Sequence, residues 1–65
     1  MKILVNGAWR ETQREELAGA LEELGYGGAV VSTAVNGEFI AAAQRARTEL
    51  AEGDRIEVVA PMQGG

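Results

Sequence analysis

Lys2-Ile3-Leu4-Val5-Asn6-Gly7-Ala8-Trp9-Arg10-Glu11 is the stretch that decides the fold. Ile3, Leu4 and Val5 favour a strand, and Asn-Gly favours the two positive-φ residues of a two-residue hairpin turn, so Ala8 to Glu11 should return as a second strand. The hairpin occupies one side of the first strand. Its other side is free for the last strand, Arg55-Ile56-Glu57-Val58-Val59, where Ile56 and Val58 share a face.

Working outward, Thr12-Gln13-Arg14-Glu15 has capping-box spacing, with the Thr12 hydroxyl on an early helical N–H and Glu15 reaching back. Leu17, Leu21 and Leu24 then recur at helical spacing, with Ala18 and Ala20 beside them. Gly25 is placed to stop this helix, and Gly19 weakens its middle by about 1 kcal/mol relative to alanine. After Gly25-Tyr26-Gly27-Gly28, Val30 to Val35 reads as a strand, and Asn36-Gly37 repeats the hairpin signal into Glu38-Phe39-Ile40. Ala41 to Arg47 is a short helical turn or a loop, and Thr48-Glu49-Leu50 a brief strand before the Glu52-Gly53-Asp54 turn. Pro61 ends regular pairing because it lacks an N–H. The expected class is α+β: a mixed sheet of four to five strands with one helix packed across one face. Ile3, Val5, Ile56 and Val58 should form the sheet side of the core.

The 65 residues allow one small domain, read as residues 1–60 with a flexible tail over 61–65. Hydrophobic residues at 46% and charged residues at 25% are the balance of a globular chain. With no cysteine and no histidine, thiol nucleophiles, imidazole acid–base chemistry and thiolate metal sites are excluded. Six basic against ten acidic residues give a net charge of −4, which argues against nucleic acid as a partner. No apolar run approaches membrane-spanning length, and Met1 to Val5 is too short for a signal peptide, so no membrane partner is expected and the cytosol is the expected location. The expected free state is a monomer.

The chain end carries the chemistry. Ala60-Pro61-Met62-Gln63-Gly64-Gly65 can reach about 20 Å from the last strand, enough to enter a buried site in another protein. Two glycines present no side chains to a narrow channel and leave the terminal carbonyl carbon unhindered. The carboxylate of Gly65, ionised at neutral pH, can attack the α-phosphate of ATP. The bland alternative is a frayed terminus that ends in glycines, which is common.

The two Asn-Gly hairpins, the leucine helix, Val35-Asn36-Gly37-Glu38, Leu50-Ala51-Glu52-Gly53-Asp54-Arg55-Ile56-Glu57-Val58-Val59 and terminal Gly64-Gly65, in this order and over essentially the whole chain, resemble the ThiS family. These are sulfur carriers of thiamine thiazole biosynthesis with a ubiquitin-like β-grasp fold. The chain departs from many relatives at Ala41-Ala42-Ala43-Gln44-Arg45, where they carry a proline and an aromatic residue. The resemblance implies that an E1-like adenylyltransferase, using ATP and magnesium, adenylates Gly65. It implies that sulfur from a persulfide donor, such as a cysteine desulfurase system, then displaces AMP to leave a thiocarboxylate, and that thiazole synthase receives the sulfur. The carrier itself would bind no cofactor and would be a protein co-substrate rather than an enzyme. Pro61, Met62, Gln63 and Gly64 would thread the partner's channel. Competing readings keep the tail but change its use: the small subunit of molybdopterin synthase, or a ubiquitin-like modifier. A binding module with an inert terminus is the remaining one.

Leu4 should point away from the helix, with Trp9 opposite it and Val59 beside them, as a docking patch for the activating enzyme. The alternative is a bulged turn that sends Trp9 into the core. Glu15-Glu16 and Glu22-Glu23 read as a solvated face rather than acid–base pairs. Gly25, Gly27 and Gly28 lack the Gly-Lys-Ser/Thr element of a phosphate loop.

Overall fold

The computed structural model describes residues 1–60. The expected tail, Pro61, Met62, Gln63, Gly64 and Gly65, lies outside the described residues. Strands β1 (Lys2–Val5) and β2 (Ala8–Glu11) form the first hairpin, and β3 (Ser32–Val35) and β4 (Glu38–Ile40) the second. Helix α1 (Leu17–Glu23) lies between the hairpins in sequence, a 3₁₀ helix over Ala42–Arg47 follows the second, and β5 (Arg55–Val59) comes last. The sheet order is β2-β1-β5-β3-β4, with β5 parallel to β1 and antiparallel to β3. The final strand is therefore the central one, joining two hairpins that do not touch each other within the sheet.

Both turns have the backbone that Asn-Gly favours. Asn6 and Gly7 sit at φ 50° and 85°, and Asn36 and Gly37 at 51° and 85°, the signature of a type I′ turn, which matches the twist of the flanking strands. Ile3, Val5, Ile56 and Val58 are buried as expected, and they meet Leu17, Ala20 and Leu21 of α1 with Leu50 beside them. Leu24 packs at the margin. Ile56 is 1% exposed at the centre of this cluster, where truncation to alanine would cost about 2–5 kcal/mol. That is a large share of a small domain's stability.

The helix ends as its sequence indicates. Gly25, at φ 98°, donates its N–H to the Glu22 carbonyl, and Tyr26 donates to the Leu21 carbonyl, the paired bonds of a Schellman cap. Its start differs from the expected capping box. The helix begins at Leu17 rather than just after Thr12, its N-cap is Glu16, and no side chain caps it. Thr12, 1% exposed, is occupied elsewhere: its hydroxyl donates to the Glu23 carboxylate and accepts from the Arg14 N–H at 3.1 Å. The intervening residues are held by tertiary bonds, from the Leu17 N–H to the Thr48 carbonyl and from the Leu50 N–H to the Glu15 carbonyl, each 2.8 Å.

Those bonds also correct the brief strand expected at Thr48-Glu49-Leu50, which is only an isolated bridge between Glu16 and Glu49. The run Ala41 to Arg47 resolves as the 3₁₀ helix, fastened by Arg45, whose guanidinium donates to the Thr33 hydroxyl at 3.0 Å and the Val31 carbonyl at 2.6 Å. β3 starts at Ser32, two residues later than expected, and Val30 is exposed. Gly19 is buried beneath the Arg14–Glu16 ion pair: an added Cβ would lie 2.3 Å from Glu16 Oε1.

Candidate functional site

The site is built around the end of β5, because residues 61–65 continue from it. Residues 55, 57 and 59 of this strand face away from the helix, and Ile56 and Val58 face the core. On the β3 side the pairing runs to the end, with Ser32 opposite Val59. On the β1 side it stops at Val5 opposite Ile56, because β1 turns away at Asn6. There the Asn6 side chain takes over. Its Oδ1 accepts from the Val58 N–H at 2.9 Å and its Nδ2 donates to the Val58 carbonyl at 3.1 Å.

The start of β5 is held by the second turn and by the Glu52-Gly53-Asp54 corner. Asn36 Oδ1 accepts from the Arg55 N–H at 3.0 Å, and Asn36 Nδ2 donates to Asp54 Oδ1 at 3.0 Å. Asp54 Oδ2 also accepts from the Ala51 N–H, and Glu52 accepts from the Lys2 N–H. Gly53 supplies the positive φ, 86°, that this corner requires. The motif that carried much of the family resemblance is thus a structural corner that launches the central strand.

Of the three residues expected in a docking patch, Leu4 and Trp9 are direct cross-strand partners on the outer face, and Trp9 is 62% exposed rather than turned into the core. Val59 is also exposed on that face. Leu4 is level with Arg55, however, so Val59 lies four residues further along the strand, about 13 Å away at the usual rise. Glu57 stands between them. A groove of about 420 Å³, lined by Leu4, Gly7, Arg55, Glu57 and Val59 among others, joins the two apolar ends. Phe39, paired with Ala34 on β4, is a further exposed aromatic of the outer face that the sequence reading did not single out. Its alternation with inward-facing Ile40 was the available signal.

A second, more polar groove of about 450 Å³ surrounds the Glu16–Glu49 bridge and includes Arg14, Glu15 and Arg47. It is built from charged side chains, and no group of three or more Asp, Glu, His or Cys residues converges as a metal site among the described residues. Glu23 is not an idle solvated carboxylate. The Thr12 hydroxyl and then the Gln13 N–H hold its pKa below the ordinary glutamate range, against desolvation and with lesser help from Arg14 and the N-terminal amine. This is a structural latch between the end of β2 and the end of α1. Among the described helices none is long and apolar enough to cross a membrane.

No curated protein sequence matches the chain significantly. Among solved structures, it is similar to the crystal structure of a thiamine biosynthesis protein, ThiS, from Geobacter metallireducens, with 26% identity over the full length of both chains and a TM-score of 0.84. The likeness extends to the whole five-stranded sheet and its helix, which is the ubiquitin-like β-grasp arrangement. The ThiS family model matches residues 3–65, taking in both hairpins, the Glu-Gly-Asp corner and the terminal glycine pair. This chain belongs to the ThiS family, the small sulfur carriers of thiamine biosynthesis.

Proposed function

We propose that the chain carries sulfur on the carboxyl group of Gly65, on a tail formed by residues 61–65 that projects from the body formed by residues 1–60. An E1-like adenylyltransferase uses ATP and magnesium to convert the Gly65 carboxylate to a mixed anhydride with AMP, releasing pyrophosphate. A persulfide, supplied by a cysteine desulfurase system, attacks the acyl carbon and expels AMP. A second thiol then takes the outer part of the acyl disulfide, forming a disulfide and freeing the thiocarboxylate. Thiazole synthase uses that sulfur, which restores the carboxylate. All of these steps belong in the cytosol, and between them the carrier is a free monomer.

The observation that carries this reading is the family match running through Gly64 and Gly65, which follow the central strand of the fold in sequence. The absence of cysteine and histidine fits a protein that contributes an acyl group and a binding surface while its partners supply the catalytic groups. Leu4 at one end of the outer groove, Trp9 paired with it on β2, and Val59 at the other end form the surface that docks the activating enzyme. Val59 stands at the root of the tail, so docking there delivers Pro61, Met62, Gln63 and Gly64 into the enzyme's channel.

Intact-mass measurement after incubation with the activating enzyme, ATP–magnesium and a sulfur source tests the reading. Exchange of one oxygen for sulfur adds about 16 Da, a gain shared with methionine oxidation, so fragment masses must place it on Gly65 rather than Met1 or Met62. A chain that gains no sulfur at Gly65 under these conditions overturns the proposal. Transfer to thiazole in a reconstituted synthase assay separates this role from molybdopterin synthesis.

A further inference from the structure

β1 and β5 run parallel, and their backbone ladder ends where the Asn6 N–H donates to the Ile56 carbonyl at 2.9 Å. The next residue of β5 to face that side is Val58. The β1 chain has by then turned at φ 50° and offers it no peptide group. Left alone, the N–H and carbonyl of Val58 would form an open strand edge at the place where the chain departs from the body. A primary amide carries the same donor and acceptor as a peptide group. With its oxygen on the Val58 N–H at 2.9 Å and its nitrogen on the Val58 carbonyl at 3.1 Å, the Asn6 side chain adds one further rung to a strand that has already ended.

We infer that Asn6 is a positioning residue for the chemistry at Gly65: by gripping the backbone of Val58 it holds the end of β5 to the body on the β1 side and so fixes the point from which the tail starts. The inference rests on the sulfur-carrier reading above. Val58 is the last core residue before the tail, with its side chain 7% exposed, and Gly65 is seven residues further on. Seven residues span at most about 23 Å, so the point at which the root is held sets which partner sites Gly65 can reach. Reacting groups must be held within roughly 1 Å, so a loosely rooted tail would spend much of its time outside the adenylation site. Asn36 has the same turn and the same amide, but it grips Arg55 and Asp54 at the opposite end of β5 and has no hold on the root.

The test compares Asn6→Gly with Asn36→Gly in ATP–pyrophosphate exchange catalysed by the activating enzyme, with hydrogen exchange of the Val58 amide measured on the free carrier. Glycine accepts φ near +50° without strain, so each variant removes only the side-chain amide. For Asn6→Gly we expect kcat to fall about tenfold and KM for the carrier to change by much less, because Asn6 only borders the groove and Leu4, Trp9 and Val59 still dock while productive insertion is rarer. Val58 exchange should accelerate in the same variant. Asn36→Gly should leave kcat within about twofold of the parent chain.

A purely structural role would instead act through the amount of folded carrier and raise the apparent KM alone. That result, an equal loss of kcat in Asn36→Gly, or an unchanged kcat in Asn6→Gly overturns the inference. If circular dichroism shows Asn6→Gly unfolded, Asn6→Asp replaces it. The carboxylate still accepts from the Val58 N–H but cannot donate to its carbonyl, and the same fall in kcat is expected. If the parent chain is not activated at all, the carrier reading fails first and this inference falls with it. Activity in the parent with no kcat effect at Asn6 removes the inference alone.

Discussion

The two hairpins are local copies of one another, with the same Asn-Gly pair and φ values that agree to within one degree. Each asparagine also reaches sideways to β5. They differ in which end of the central strand they hold: Asn36 holds Arg55, where the strand begins, and Asn6 holds Val58, where it is about to leave the body. The segments that follow differ too. The exit of the first hairpin is latched by an anion, Glu23 on Thr12 and Gln13, and that of the second by a cation, Arg45 on Thr33 and Val31. One turn motif thus serves two purposes, and its position on the shared strand decides which.

The largest expected effect removes what the first hairpin is inferred to position. A chain lacking Gly64 and Gly65 should take up no sulfur in the mass assay, while its urea midpoint stays that of the full chain. Any sulfur uptake would sever the link between the hairpin and the terminus. Next, urea unfolding of Asn6→Gly and Asn36→Gly should show similar losses, each about 1–2 kcal/mol for two hydrogen bonds. Equal stability losses would sharpen the kinetic contrast between the turns, because stability could not then explain it.

On the outer face, Trp9→Ala in the first hairpin should raise KM for the activating enzyme about tenfold, with stability changed by no more than about 0.5 kcal/mol. Phe39→Ala in the second should move KM less than about twofold, and an equal effect would extend the docking surface across the sheet. The latches give a pH contrast. Since Glu23 has a lowered pKa when folded, its contribution is fully present above the ordinary glutamate range and is lost as pH falls through that lowered value. The stability difference between the parent chain and Glu23→Gln should therefore be largest near about pH 7 and shrink as the pH falls through that lowered value. The second latch contains no carboxylate and should show no such dependence. The smallest effect is Gly19→Ala. The exposed Arg14–Glu16 pair can swing aside, at a loss within about 1 kcal/mol, and the helix gains about 1 kcal/mol of propensity, so a net change of a few tenths is expected by thermal unfolding.

Much of this architecture was legible in the amino-acid order because its signals are local. Asn-Gly sets both turns, alternation in Arg55–Val59 sorts core from surface, and Gly25 stops the helix, each within a few residues. The misreadings share one cause, which is a distant partner outbidding a local motif. Thr12 has the spacing of a cap, but the Glu23 carboxylate, eleven residues away, claims its hydroxyl. Thr48 to Leu50 resembles a strand, yet Thr48 bonds back to the 3₁₀ helix and the segment meets Glu15 to Leu17 through an isolated bridge. At the candidate site the same limit applied. Trp9 opposite Leu4 followed from the turn length, whereas the grip of Asn6 on Val58 spans 52 positions and leaves no mark near either residue. The separation of Val59 from Leu4 depended on the parallel register of β1 and β5, which hairpin arithmetic does not supply.

Placing the last strand in the middle also governs what an incomplete copy can do. A polypeptide halted before residue 55 is left with two hairpins whose inner edges have no partner, and a core that lacks Ile56 and Val58. Such a fragment cannot assemble the outer groove, so on the docking proposed above it could not occupy the activating enzyme as a dead-end decoy. On that proposal the molecule becomes recognisable only once its last strand is made, which makes completeness of synthesis a condition for being bound.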